Sequence, residues 1–325
     1  MRSDGVTPIF KYYSKFTIAD RLNNITGGNS TFDNTALLYR NGEGEPFQYD
    51  ELALWDGGPN SFYAYYINGS TYAPTFTDKK KIEFLEATHS VIADIGVDET
   101  GIYMEYVQPT TLKAMVDVMT ANTTTYRTEN NEVTLNFEHR LFALDIIIKN
   151  NQVEVDKNVE EQELEVTSAV VTFEVCDGGK FYFDGDDVPS PTIITPNLTH
   201  DFGEFDVSVD KIKNLNETRK DGVTSFLFFP CESLKLSFTM EYKTRWGNIK
   251  TYTYDSITEG KDSPLKVMNE DGKDIGFQAG HKYQFILEKN NDIDEFTFLP
   301  KIAVVDEDTS TEGSWNDQDV NHTFN

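Results

Sequence analysis

Apolar and polar residues alternate along much of this chain. The cleanest run is Leu234, Leu236, Phe238, Met240 and Tyr242, interleaved with Lys235, Ser237, Thr239, Glu241 and Lys243. Successive side chains of a strand point to opposite faces, so this run predicts a strand with one face buried and one wet. The same period groups Phe10, Tyr12, Phe16 and Ile18 near the start, makes Phe62 to Ile67 a dense aromatic strand, and pairs Ile82 with Phe84. Val133, Leu135, Phe137, His139 and Leu141 share a face, after which Leu144, Ile146 and Ile148 continue in the opposite phase. A run of that length exceeds the usual strand of about 5–6 residues, so a bend or bulge is expected near Phe142.

The second half repeats this grammar. Val171, Phe173 and Val175 precede the turn residues Asp177-Gly178-Gly179, and Phe181 with Phe183 follow, which predicts a hairpin. Phe205, Val207 and Val209 form another strand, a Gly247-Asn248 turn leads to Tyr252 and Tyr254, and His281, Tyr283, Phe285 and Leu287 form a further one. One stretch departs from period two. After Pro109 and Thr110, residues Leu112, Met115, Val116 and Met119 recur at helical spacing and predict one short amphipathic helix whose stripe is core contact. Many short strands, frequent turn signals and one short helix define an all-β chain of antiparallel β-sandwiches. The polar, acidic stretch from Asn150 to Glu163 divides it, giving an N-terminal β-sandwich domain over 1–150 and a C-terminal one over 151–325.

The chain has 325 residues, 38% hydrophobic and 13% aromatic, enough for one large or two ordinary cores. Its 55 acidic and 28 basic residues give a formal charge of −27, which repels phosphate backbones and argues against a nucleic-acid partner. The plain reading of that acidity is a solvated surface. No apolar run approaches the ~20 residues of a membrane helix, so no membrane-spanning segment is expected. If the protein is exported, its signal is expected to be missing from this sequence. Cys176 and Cys231 each lie in an apolar stretch, compatible with one disulfide or two buried thiols, the latter favoured. Seven Asn-x-Ser/Thr sequons, at Asn24, Asn29, Asn68, Asn122, Asn197, Asn216 and Asn321, fit chance in a chain rich in Asn and Thr.

The motifs of catalysis are missing. There is no Gly-x-Ser-x-Gly elbow, His-Glu-x-x-His pair, Walker loop or Rossmann fingerprint, so no catalytic residue, no cofactor and no metal ligand is assigned. His89, His139, His200, His281 and His322 are dispersed, and His139 and His281 read as structural histidines on apolar strand faces. Acidic clusters at Asp184-Gly185-Asp186-Asp187 and Asp306-Glu307-Asp308 have the oxygen ligands calcium takes, yet neither matches the twelve-residue calcium loop. In the aromatic strand, Tyr63 and Tyr65 point outward if Phe62 and Tyr66 point inward, which makes them the possible ligand-contact aromatics.

Three phrases carry a resemblance: Trp55-Asp56-Gly57-Gly58-Pro59-Asn60-Ser61-Phe62-Tyr63-Ala64-Tyr65-Tyr66, Leu135-x-Phe-x-His-x-Leu141, and Phe277-x-Ala-Gly-His-Lys-Tyr283. Their order, with the late Trp315, resembles the fimbrillin family, the subunits and subunit-like lipoproteins of type V pili in anaerobic Gram-negative bacteria. The resemblance implies two tandem transthyretin-like domains, export as an outer-membrane lipoprotein, and removal of an N-terminal strand by an arginine-specific protease. Another subunit's terminal strand then fills the opened groove, a donor-strand exchange. An open sheet edge offers unpaired N–H and C=O groups that an added strand can satisfy.

Arg21 and Arg40 both follow the Phe10 to Ile18 strand and are the processing candidates, with Arg40 in Tyr39-Arg40-Asn41-Gly42 the more loop-like. The N-terminus lacks a lipid-bearing cysteine, and after Trp315 only Val320 and Phe324 are strongly hydrophobic, a poor strand to donate. The expected role is therefore a tip or accessory fimbrillin of the cell surface, not an enzyme. Its partners would be other pilus subunits and a host or bacterial surface glycan or protein. A surface glycan-binding β-sandwich with no assembly role is the alternative.

Overall fold

The computed structural model describes residues 10–12, 60–68, 74–78, 81–84, 93–115, 117–126, 133–150, 163–194, 197–208, 211–216, 225–244, 246–269, 271–291, 296–304 and 322–324. In the first half these form β1 (Phe10–Tyr12), β2 (Asn60–Asn68), β3 (Pro74–Asp78), β4 (Lys81–Phe84), β5 (Ala93–Val97) and β6 (Ile102–Val107). Next come β7 (Asp117–Thr125), β8 (Val133–Leu135), β9 (Glu138–His139) and β10 (Phe142–Asn150). The second half opens with β11 (Leu164–Glu174), β12 (Gly178–Tyr182), β13 (Val188–Pro189), β14 (Leu198–Asp201), β15 (Phe205–Val207), β16 (Ile212–Asn214) and β17 (Phe226–Phe228). It closes with β18 (Lys235–Lys243), β19 (Ile249–Asp255), β20 (Lys282–Asn291), β21 (Phe296–Val304) and β22 (His322–Phe324).

The all-β sandwich is plain in the core. One sheet has the order β16-β10-β20-β21, with β17 also on β10; the other has β14-β11-β18-β19, with β15 also on β11. Leu144, Ile146, Ile148, Tyr283, Phe285 and Leu287 of the first belong to the same buried cluster as Val171, Phe173, Leu236, Phe238 and Met240 of the second. Phe238 meets Phe285 across the gap with ring centroids 6.4 Å apart. Phe142 stacks on Phe277 at 4.9 Å and meets Tyr283 edge-on at 5.7 Å. Each fully buried side chain of this kind stabilises by roughly 1.5–3 kcal/mol.

β10 and β20 run parallel, in register from Ala143↔Lys282 to Asn150↔Lys289, whereas the sequence reading expected antiparallel pairing throughout. Parallel neighbours need a long crossover, and here the whole of β11–β19 supplies it, so no local turn signals the pairing. The opposite side chain row of β10 carries Asp145, 1% exposed. It accepts hydrogen bonds from Ser225 Oγ at 2.6 Å and Asn214 Nδ2 at 2.9 Å, and pairs with Lys282 Nζ at 2.8 Å. At the end of the core ladder sits Lys289, 1% exposed, whose amine burial pulls down to a pKa of about 8.

A six-stranded sheet, β13-β12-β6-β5-β4-β3, and a four-stranded one, β1-β2-β7-β9, complete the larger sheets, with β22 on β8 as a two-stranded ribbon. The six-stranded sheet combines β3–β6 with β12 and β13 from beyond residue 150. This corrects the hairpin expected around Asp177-Gly178-Gly179: β11 and β12 do not pair, and the chain crosses there from one sheet to another. Gly178 is required at that crossing, with φ +138° and a notional Cβ 1.9 Å from Tyr106 O.

The helix expected over Leu112 to Met119 is also corrected. Only a 3₁₀ turn, Leu112–Ala114, forms; Thr111 gives it no side-chain cap, and Met115 is already extended at φ −68°, ψ 131°. Leu112, Met115 and Met119 are nonetheless buried, at 2%, 0% and 1% exposure, so the apolar spacing marked core without marking helix. The Thr-rich run that follows, Thr120 to Thr125, suits a strand better than a helix. The bend expected near Phe142 is found as two breaks, at Asn136–Phe137 and Arg140–Leu141, which separate β8, β9 and β10.

Candidate assembly edge

β1 is the edge strand of its sheet. Its three residues pair antiparallel with β2, as Phe10↔Ala64, Lys11↔Tyr63 and Tyr12↔Phe62. On its other side β2 is laddered along its whole length to β7, from Asn60↔Thr125 to Asn68↔Asp117. Among the described residues, β1 thus covers only the middle of an edge nine residues long, and Tyr65–Asn68 have no partner on that side. Loss of β1 would leave the entire β2 edge with unpaired backbone groups. Tyr63 and Tyr65 stand in register with Asn122 and Thr120 of β7, while Arg21 and Arg40 lie outside the described residues.

β7 ties this sheet to the rest of the molecule. Val118, Met119 and Ala121 are buried, and Asp117 Oδ2 lies 2.8 Å from His139 Nδ1 on the neighbouring β9. His139 is therefore a carboxylate-bound structural histidine, as expected. His281 differs from expectation: it precedes β20, is exposed, and its Nδ1 lies 3.0 Å from Ala279 O. Asn122 Nδ2 donates to Phe183 O and, at 2.8 Å, to Asp184 Oδ1. Arg140 donates to Tyr182 O at 3.0 Å, pairs with Asp187, and lies 5.5 Å over the Phe181 ring. Two carboxylates of the 184–187 loop are thus engaged by protein partners. No group of metal-ligating side chains occurs among the described residues, and the Asp306 to Asp308 cluster lies outside them.

Beside the loop, Asp98 accepts from Tyr182 Oη at 2.6 Å and Lys180 Nζ at 2.8 Å, and the ammonium sits 4.0 Å over Tyr103. Partial burial pushes the Asp98 carboxyl up, but the hydrogen bonds from Lys180 and Tyr182 outweigh it and hold the pKa at about 2. Cys176 and Cys231 are unbonded, half-buried thiols. Burial, with the Cys176 sulfur nearby, pushes Cys231 up to about 12. A thiol so placed is not a nucleophile at neutral pH. The sequon asparagine Asn216 is fully buried, with Oδ1 accepting from Ile146 N at 2.9 Å, which removes it as a modification site.

At the far end, β22 pairs with β8 as His322↔Leu135, Thr323↔Thr134 and Phe324↔Val133. Beyond the late hydrophobe Phe324, no local pattern marks this pairing.

Comparison with known proteins places this architecture. A family model described as fimbrillin-like matches residues 18–304, and the chain belongs to that family. A fimbrial protein from Bacteroides vulgatus shares 16% identity at a TM-score of 0.53, over 92% of this chain and 93% of that one, and has the same fold. A candidate cell-adhesion protein from Bacteroides uniformis, also 16% identical, covers 92% of this chain and 91% of its own at a TM-score of 0.43. No curated protein matches the chain. Among the described residues no helix is long and apolar enough to cross a membrane.

Proposed function

We propose that this protein is a cell-surface adhesive component of a pilus, a tip or accessory fimbrillin, that accepts a strand from a neighbouring subunit after its own N-terminal strand is removed. The position of β1 carries this reading. Among the described residues it is the outermost strand of its sheet and pairs with β2 only, and it precedes a segment containing Arg21 and Arg40. Cleavage at either arginine, with Arg40 preferred, separates β1 from β2 in the chain, after which only its short ladder retains it. An incoming strand that matched β2 would span about 30 Å at ~3.3 Å per residue and bring its alternate side chains against the sheet. Four or five such side chains at ~1.5–3 kcal/mol each make a joint that dissociates very slowly.

The pairing of β22 supports an accepting role. A donor subunit needs a free extension, whereas β22 is paired with β8 of its own chain. Two tandem transthyretin-like units, 1–150 and 151–325, fit this picture if each lends strands across the division: β10 to the second and the β12–β13 pair to the first. Outer-membrane export as a lipoprotein is part of the same proposal.

The test is controlled arginine-specific proteolysis of the purified protein followed by electron microscopy and mixing with a second fimbrillin. Trimmed protein is expected to remain as single particles alone and to capture a subunit bearing a free terminal strand. Long filaments from trimmed protein alone would overturn the tip or accessory assignment.

A further inference from the structure

Most outer strands of these sheets are protected against an added strand. Among the described residues they run to four residues or fewer, except for β3, β19 and β21. β3 opens on Pro74 and shifts register between Phe76 and Asp78, and β21 carries Pro300 at its centre with Lys301 beside it. Brevity, proline, charge and irregularity are the usual protections of a sheet edge. β19 is long, regular and free of proline and glycine: its seven residues, Ile249–Asp255, pair in unbroken register with β18 and, among the described residues, with no other strand. Ile249, Thr251, Tyr252, Thr253 and Tyr254 are all strong strand formers.

The open groups of this edge can be assigned residue by residue. In the β18–β19 register Thr244 N–H donates to Asn248 O at 2.8 Å, and Ser256 N–H donates to Leu236 O at 3.0 Å. Antiparallel neighbours alternate between bonded and non-bonded pairs, so the even-numbered residues of β19 bond β18 and the odd-numbered ones point their N–H and C=O away. Asp255 confirms the phase: its N–H donates outward to Asp262 Oδ2 at 2.7 Å, and its O accepts from Asp262 N at 3.0 Å. The following loop thus closes the edge at Asp255. Ile249, Thr251 and Thr253, all with exposed side chains, keep theirs open.

We infer that this edge pairs with the same edge of a second copy, antiparallel and centred on Thr251. Thr251 then stands opposite Thr251 of the second copy, and Ile249 opposite Thr253, in both directions. Three bonded pairs with two hydrogen bonds each satisfy every open group of both edges. The intervening pairs set Lys250 opposite Tyr252, so no like charges face each other, and Thr–Thr and β-branched pairs are favourable cross-strand neighbours. The ends fit as well. One step beyond the ladder, Asp255 with its capping loop falls opposite Gly247 of the second copy, which has no side chain and whose N–H is spent on Thr244 O as the chain turns back to β18. The two-fold axis uses up the open edge, so assembly stops at a dimer with one sheet running through both molecules. This contact goes beyond the subunit reading and uses neither β1 nor β2.

The test uses the full, untrimmed chain in sedimentation velocity from micromolar to near-millimolar protein. An edge-to-edge contact smaller than ~1,000 Å² predicts a weak dimer, half formed at high micromolar concentration. Thr251→Lys sets two ammonium groups against each other only in the dimer, and Thr251→Pro removes an N–H that β18 does not use. Each should weaken the dimer about tenfold or more, and Thr251→Lys, at an exposed position, should keep the wild-type melting temperature. The register is read with single cysteines and oxidised glutathione. Bonded antiparallel neighbours have Cα atoms about 5.5 Å apart, within disulfide reach. Thr251→Cys should therefore give a disulfide-linked dimer under conditions where the wild type gives none. Ile249→Cys and Thr253→Cys should each fail alone and cross-link when mixed. A wild type that stays monomeric, a dimer unaffected by both Thr251→Lys and Thr251→Pro, species larger than a dimer, or cross-linking in another register would each overturn the inference. Because β1 stays in place, these outcomes are independent of whether trimmed protein accepts a strand.

Discussion

Replacing Asp145 with alanine should cost this protein about 3–4 kcal/mol. The carboxylate is 1% exposed and joins four elements: its own β10, Ser225 at the entrance to β17, Asn214 of β16 and Lys282 of β20. In Asp145→Ala the Ser225 hydroxyl, 5% exposed, loses its acceptor, as does the Asn214 amide. Orphaned buried donors cost about 1–3 kcal/mol each. The Lys282 side chain is 23% exposed and can turn to water, so its stranded charge adds little. Asp145→Asn retains an acceptor but turns an amide donor towards other donors, and should lose about 2 kcal/mol. With an unfolding entropy of ~2.1 cal/mol/K per residue, a 3.5 kcal/mol loss over this length lowers the melting temperature by about 5 °C. Calorimetry with matched denaturant titration measures both. A shift below about 1 °C for Asp145→Ala, or an Asp145→Asn protein as stable as wild type, would refute the view that this network joins β10 to its neighbours.

Two other substitutions test the electrostatics. The folded-state pKa of Lys289, about 8, lies below the ordinary lysine value of 10.5, so the unfolded chain binds more protons between these pH values and stability rises with pH across that window. Lys289→Met should remove this slope and raise stability at pH 7 by about 2 kcal/mol; equal slopes for wild type and variant in denaturation between pH 7 and 10 would contradict it. Asp98 has the opposite sense: its depressed pKa, about 2, contributes stability above pH 4 that is lost as pH falls towards 2. Asp98→Asn should lower stability at pH 7 by under about 1 kcal/mol, since the pair is partly exposed, and flatten the acid limb of the melting-temperature profile. An unchanged acid limb would count against it.

Strands whose two faces differ were legible from sequence. β18 alternates between buried and half-buried or exposed positions from Leu236 to Tyr242, just as its residues alternate in kind, and the Gly247-Asn248 turn joins it to β19 as read. Legibility failed where one local pattern serves two geometries. Leu112, Met115 and Met119 satisfy helical spacing, yet a 3₁₀ turn running into a strand buries them equally well. Asp177-Gly178-Gly179 has the composition of a hairpin turn, but Gly178 is there because Tyr106 O approaches closely as the chain changes sheets. The β10–β20 pairing was invisible because nothing local to either strand records a partner more than a hundred residues away. For the assembly edge, the Phe10 to Tyr12 strand and the aromatic run at Phe62 were both legible, but not that they pair. The Arg140 and Asn122 contacts to the 182–187 loop were likewise hidden, since single polar residues carry no periodic signal.

The central claim is that β2 becomes an open, strand-accepting edge when β1 is released. Amide hydrogen exchange over Asn60–Asn68, compared in intact, arginine-trimmed and subunit-bound protein, tests it most directly. The account predicts that the β2 amides facing β1 are protected in the intact chain, exchange at least about tenfold faster after trimming, and regain protection when a donor strand is added. Exchange in β2 that is the same before and after trimming, or that stays fast with the donor bound, would contradict it.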